Sequence, residues 1–313
     1  MTQVKGTRKA QRLVSATATV VVAFTLLTTT LGMSAPRRTG TSDSTPVRDS
    51  ANLVLPQFLG FSGKLRAVQV TPERIGESPA LAMMMEEYGI SAAGIHQVGL
   101  VSPAGDSVAL IALIPFAAKS GGTFQGYRIG YWPRERKPVT LYGLPEGFIE
   151  VTPENQDVKL SSRFRVRDFL TKDQGTVWPK YLVVQPTLLD KLELIADELE
   201  RLGKPSTIKV LSGFRTPQYN AKGVCRRCGR ARDSRHMYGD ASDIFVDGDD
   251  NGVMDDLNGD GRVTVADARY LARIADQVEG EHPELTGGIG IYRATGAHGP
   301  FVHVDTRGFV ARW

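Results

Sequence analysis

The sequence predicts an α+β fold: a compact domain with a small antiparallel sheet and helices over residues 150–313, preceded by a small β-rich domain at 53–149 and an N-terminal membrane segment. Three observations carry this expectation. An uncharged, largely apolar run occupies residues 13–36, and residues 53–145 read mostly as short strands. A strongly amphipathic helix at 187–202 is then followed by three isolated strand-like segments. The chain has 313 residues, 41% hydrophobic and 23% charged, which is ordinary globular composition and enough length for about two domains of ~150 residues.

Residues 1–12 hold Lys5, Arg8, Lys9 and Arg12 and no acid, so they read as a basic cytoplasmic segment. These four cations account for the whole formal net charge of +4. The rest of the chain is neutral and offers no broad basic face to a phosphate backbone, which argues against nucleic-acid partners. The run at 13–36 is just long enough for a membrane helix of about 20 residues, and its basic flank holds the N-terminal end inside. It reads as a signal-anchor or a signal peptide. Cleavage after Ala35 would put Met33 at a small-residue position and Pro36 after the cut, which favours the anchor. Everything beyond it is expected to be exported, periplasmic or extracytoplasmic, and anchored in the inner membrane. Residues 37–52 are polar and turn-rich and read as a flexible linker. Cys225 and Cys228, the only two cysteines, are expected to form a small-loop disulfide in an oxidising compartment.

In the β-rich part, residues 108–114 form an apolar run, residues 124–132 alternate aromatic and polar side chains, and residues 80–88 suggest a short helix with Met83, Met84 and Met85 as core filler. In the helix at 187–202, Leu188, Leu192, Ile195, Leu199 and Leu202 form one stripe, Thr187 with Asp190 is the expected N-terminal cap, and Gly203 the stop. The strand candidates that follow lie at 207–211, 241–246 and 301–305.

His236 and Asp243 stand seven residues apart with Gly239 between them, so the chain can turn and bring both to one point. His303 lies in a strand-like segment that can sit beside the one beginning near Ala241. Two imidazoles and a carboxylate suit Zn²⁺ and leave a fourth position open. The competing reading of these residues is a hydrogen-bonded His–Asp pair.

The segment from Ser212 through Gly213, Phe214, Arg215, Thr216 and Pro217 to Asn220 is followed by Ser-Arg-His-x-x-Gly-x-Ala-x-Asp at 234–243. Gly287-Gly288-Ile289-Gly290-Ile291-Tyr292, Phe-Val-His-Val-Asp-Thr at 301–306 and Arg312-Trp313 come after, in one order. Together these motifs resemble the zinc D-Ala-D-Ala carboxypeptidases, and most of all the YcbK-type murein endopeptidases, of the lysostaphin, D-Ala-D-Ala metallopeptidase and hedgehog fold group. The resemblance covers about residues 150–313. It implies His236, Asp243 and His303 as zinc ligands, and hydrolysis of peptide bonds in the stem peptides or cross-links of bacterial peptidoglycan, by a D,D-carboxypeptidase or an endopeptidase. It also implies that Arg215 holds a peptide carboxylate through its bidentate fork. Many members carry a Glu or a His shortly before the last ligand, where this chain has Pro300 and Phe301. That leaves His298, five residues before His303, as the candidate base or donor, with Asp305 orienting a ligand. The same departure keeps open a non-catalytic module that binds peptidoglycan or protein with structural zinc and calcium.

The stretch 247–267 is strongly acidic. Asp256, Asn258, Asp260, Gly261 and Asp267 fit the spacing of a calcium loop, with Asp at the twelfth position as in dockerin-type loops. Arg262 would add its carbonyl, and Thr264 would act directly or through water. A second Ca²⁺ over Asp247, Asp249 and Asn251 is the weaker expectation, because its twelfth position is Asn258. Such a loop would brace the wall of the zinc cleft. A calcium-controlled adhesion protein is the third reading.

Overall fold

The structure is a computed structural model that describes residues 58–76, 78–101, 107–137, 142–225 and 229–313. The basic segment, the expected membrane segment and the linker (residues 1–52) lie outside the described residues, as do Arg226, Arg227 and Cys228. Among the described residues no helix is long and apolar enough to cross a membrane.

A first sheet has the order β1-β3-β2, formed by Val68–Val70 (β1), Gly94–Val101 (β2) and Ser107–Ala112 (β3), with β1 parallel and β2 antiparallel to β3. The apolar run at 108–114 follows from its position, because this strand is buried on both faces. Leu110 and Ala112 pack with Phe58, Leu81, Met84 and Met85 in a small core, while Ala109, Ile111 and Leu113 enter the main one. Helices α1 (Pro72–Ile75) and α2 (Pro79–Glu87) cover the small core. Of the methionine trio, Met83 is 60% exposed, a correction to the expected core filler: three consecutive helical residues cannot share one face.

A second sheet joins Ile114–Pro115 (β4), Gly147–Val151 (β7) and Lys180–Leu182 (β8) around central β7. Between them, the alternating stretch at 124–132 holds a short hairpin, Thr123–Phe124 (β5) and Tyr127–Arg128 (β6), and is followed by α3 (Pro133–Arg136). Gln125 and Gly126, both at positive φ, make the turn that ends the alternation. The expected junction at 149/150 falls inside β7, and one core runs across it from Ala67 to Val304.

Helix α4 spans Pro186–Arg201 and buries Leu188, Leu192, Ile195 and Leu199 completely, each worth about 1.5–3 kcal/mol. Its N-cap is Gln185 rather than Thr187, because Pro186 occupies the first helical position. Asp190 pairs instead with Arg66, and Thr187 meets Thr306. Gly203, at φ +65°, follows the helix as expected.

The main sheet has the order β13-β11-β12-β10-β9, built from Ile208–Ser212 (β9), Ala241–Val246 (β10), Gly288–Tyr292 (β11), Phe301–Asp305 (β12) and Ala311–Arg312 (β13). It is antiparallel except at its edge, where β13 runs parallel to β11. Short α5 (Pro217–Ala221) follows β9, and α6 (Val265–Glu281) packs beside α4 and β11. Thr264 caps α6 at the end of the acidic loop. The small sheets and flanking helices make an α+β fold.

Candidate metal centre

Three structural features converge on one point on a face of the main sheet, over its inner strands β10 and β12. Asp243 on β10 lies directly opposite His303 on β12, so both side chains emerge on the same face. His236 arrives from the 3-10 turn Arg235–Tyr238, which ends at Gly239 with φ +72°. A side chain at Gly239 would run into the Val183 carbonyl as well as strain the backbone. Ion pairing of Arg235 with Asp240 and a bond from Gln185 N to Gly239 O (2.7 Å) hold the turn down.

The facing atoms form a nearly equilateral triangle. His236 Nε2 lies 3.1 Å from His303 Nδ1 and 3.2 Å from Asp243 Oδ1, and His303 Nδ1 lies 3.0 Å from that oxygen. The opposite ring nitrogens are engaged. His236 Nδ1 donates to Gly213 O at 2.7 Å, and His303 Nε2 to Asp305 Oδ2 at 3.0 Å. With the ring protons placed by those partners, three lone pairs face one another, an arrangement that a shared cation would satisfy. Tetrahedral zinc ligands stand about 3.3 Å apart, so the triangle fits Zn²⁺ and leaves a fourth direction open. All three residues are buried, and they form a cluster able to hold a metal ion.

The three groups shift in different directions. Burial pushes the His236 imidazole below its ordinary value. Burial acts on His303 too, but its bonds to Asp243 and Asp305 outweigh it and raise that ring. Burial would raise Asp243, yet the two imidazoles hold its carboxyl well below the usual range.

Arg215, for which the resemblance implies a substrate carboxylate, gives Nη2 to Asp243 Oδ2 and Nε to Ser212 Oγ (2.9 Å). This turns Asp243 Oδ1 toward the histidines. Asp305, fully buried, accepts from His303, Arg307 and Gly288 N. Close approach at this point explains the glycine motif, because a Cβ on Gly288 would strike Asp305 and one on Gly290 would strike Trp313. Trp313 in turn packs against the His303 ring with centroids 5.2 Å apart.

His236, Asp243 and His303 open into a cleft of roughly 790 Å³ that is also lined by Arg215, Tyr292 and His298. His298 rests edge-on against Phe301, and its Nδ1 donates to Gly299 O at 2.8 Å. Among the described lining residues the carboxylates are Asp243 and Asp233, and Asp233 accepts from Tyr238 Oη at 2.6 Å. In the arginine-rich stretch 222–235, Arg230 and Arg235 line the cleft, whereas Arg232 faces a separate pocket. Cys225 is disulfide-bonded. The lining role of Trp313 and Tyr292 had no signal beyond the motif wording, and that of Arg307 had none.

The acidic loop follows β10. Asp256 accepts from Gly259 N (2.8 Å) and Gly261 N (2.6 Å), Asn258 Oδ1 from Asp260 N (2.8 Å), and Asp260 from Arg262 N (2.9 Å). Buried Asp267 closes the loop onto Leu257 N (3.0 Å) and Thr264 N (2.8 Å). In the first half of the loop, the carboxylates that come together are Asp247, Asp249 and Asp255. Asp255 joins the expected Asp247 and Asp249 there, while Asn251 gives Nδ2 to Asp249 (2.9 Å) and accepts from Val253 N (2.8 Å). Counting nine positions from Asp247 would have found Asp255.

No curated protein and no solved structure gives a significant match to the chain. Residues 168–256, which carry Arg215, His236 and Asp243, match the family model described as peptidoglycan L,D-endopeptidase MepK, in keeping with the murein endopeptidase resemblance of the ordered motifs.

Proposed function

We propose that this chain is a zinc-dependent peptidase that hydrolyses peptide bonds in the stem peptides or cross-links of bacterial peptidoglycan. The observation that carries the reading is the lone-pair triangle of His236, Asp243 and His303 at the floor of an open cleft, together with the family match. When bound there, Zn²⁺ would polarise a peptide carbonyl and acidify water. Asp305 and the Gly213 carbonyl fix the two imidazole tautomers, and Arg215 orients Asp243. His298 is the proposed base. With Nδ1 committed to Gly299 O, its Nε2 can take a proton from the attacking water as the new C–O bond forms. It returns that proton to the leaving amine as the C–N bond breaks.

Incubation of the zinc-loaded protein with defined muropeptides, read by mass spectrometry, tests this. We expect products from the native chain and none from His303→Ala. A second reading, a binding module with structural zinc, is favoured by one observation: both described carboxylates of the cleft are engaged with protein partners. Muropeptide binding without product at any pH would support it.

We further propose that the chain is exported and held at the membrane by residues 13–36, as the cysteine in a disulfide at position 225 also suggests. Asp256, Asn258, Asp260, Arg262, Thr264 and Asp267 are the proposed Ca²⁺ ligands, and Asp247, Asp249 and Asn251, with Asp255 beside them, the proposed second group. Their spacing and the loop's closure onto buried Asp267 support this.

A further inference from the structure

Four arginines line the cleft: Arg215, Arg230, Arg235 and Arg307. Three are matched with an acid inside the protein, Arg215 with Asp243, Arg235 with Asp240 and Arg307 with Asp305. Arg230 is the exception, for among the described residues no carboxylate pairs with it. Yet it is held firmly. Its Nη1 donates to Tyr219 O at 2.8 Å, and its guanidinium lies over the Tyr219 ring at 4.5 Å. Its stem crosses Gly223 so closely that a Cβ there would strike the Arg230 side chain. A half-buried, rigidly mounted guanidinium without a counter-ion, facing a cleft, is a preorganised receptor for a carboxylate. Lys172 also lines the cleft and has no acid partner among the described residues, but it is exposed and offers a flexible point charge rather than a fork.

We infer that Arg230, on the wall formed by Tyr219 and residues 229–231, is the carboxylate-binding subsite of the cleft, receiving a free carboxylate of the peptide whose bond lies over the metal centre. This rests on the proposed peptidase reading. It moves the clamp from Arg215, whose fork is spent on Asp243, to the one arginine left over. Two groups of a wall peptide share the required chemistry, the C-terminal D-alanine carboxylate and the side carboxylate of a diaminopimelate residue.

The test is calorimetric titration of the zinc-loaded full chain with three stem tetrapeptides: the free acid, its C-terminal carboxamide, and the peptide amidated at the diaminopimelate side carboxylate. The native chain is expected to bind the free acid about 10–100-fold more tightly than one of the two amides, which identifies the carboxylate. Arg230→Gln should bind that pair alike, Arg230→Lys should restore part of the difference, and Lys172→Gln should keep it. Zinc content and circular dichroism verify that each variant is folded. Equal binding of all three peptides by the native chain, or undiminished discrimination in Arg230→Gln, would overturn the assignment. Mass spectrometry of the same mixtures reports separately on hydrolysis. Discrimination without cleavage would sink the peptidase reading and leave the subsite standing.

Discussion

At the scale of single residues, the site depends on groups that hold the ligands rather than on the ligands alone. Asp305 sets which nitrogen of His303 faces the centre, and it is itself gripped by Arg307 and Gly288 N. Asp305→Asn keeps the shape but weakens that grip, so zinc affinity should fall about 10–100-fold, as read by competition with a chromophoric chelator. Unchanged affinity would mean that His303 needs no orienting partner. Gly239 matters for a different reason. At φ +72° and pressed on the Val183 carbonyl, it has no room for a side chain. Gly239→Ala should destabilise the fold by about 1–3 kcal/mol, measured as a shift in urea midpoint. The three ligand candidates were legible as residue types in a turn-permitting spacing. The partner of Arg215 was not, because nothing local in the chain links position 215 to position 243.

At the scale of elements, β10 and β12 place Asp243 and His303 side by side through their register, and α4 and α6 support the far end of β12. The contact between those helices contains Lys191, fully buried, which donates to Glu279 and to the carbonyls of Leu285 (3.3 Å) and Asp305 (2.7 Å). Burial pushes that ammonium below its ordinary value even with Glu279 beside it. Glu279→Gln would leave the charge buried without its counter-ion, and we expect a loss of about 3–5 kcal/mol in denaturant unfolding. A loss below about 1 kcal/mol would show that the three acceptors are interchangeable. The amphipathic stripe of α4 was plain in the sequence. Its cap was misplaced because Asp190 has a distant partner, Arg66, that pattern reading does not see.

At the scale of the whole molecule, the metal site and the preceding β-rich residues are parts of one packed body. Trp132 Nε1 donates to Met237 O at 2.8 Å, beside His236, and Gln218 N donates to Ile129 O at 2.9 Å. A fragment starting at residue 150 would lose Trp132, Ile129 and Phe148 from the shared core. It should show no cooperative thermal transition by circular dichroism, whereas residues 58–313 should. Zinc, bridging β10, β12 and the 235–238 turn, should raise the melting temperature of the full chain, with about 2.7 kcal/mol gained at a hundredfold excess over its dissociation constant. His303→Ala should abolish that gain. Calcium added to chelator-treated, zinc-reloaded protein should raise it independently if the 256–267 loop binds the ion. Coincident melting curves would remove calcium from the account.

Read alone, the sequence determined the parts whose signals are local. These are the amphipathic face of α4, the strands at 241–246 and 301–305, the helix after Thr264, and the turn at Gly239 between His236 and Asp243. Each depends on side-chain periodicity or on a turn that only glycine allows, and both are written in neighbouring residues. Only the tertiary structure decided how the charges are shared. Arg215, Arg235 and Arg307 are claimed by acids brought close by folding, Arg230 is left over among the described residues, and Asp255 comes to stand beside Asp247 and Asp249. Charge pairing is settled by distances of a few ångströms between side chains, some far apart in the chain, and such distances exist only once the core that spans residues 67–304 has formed.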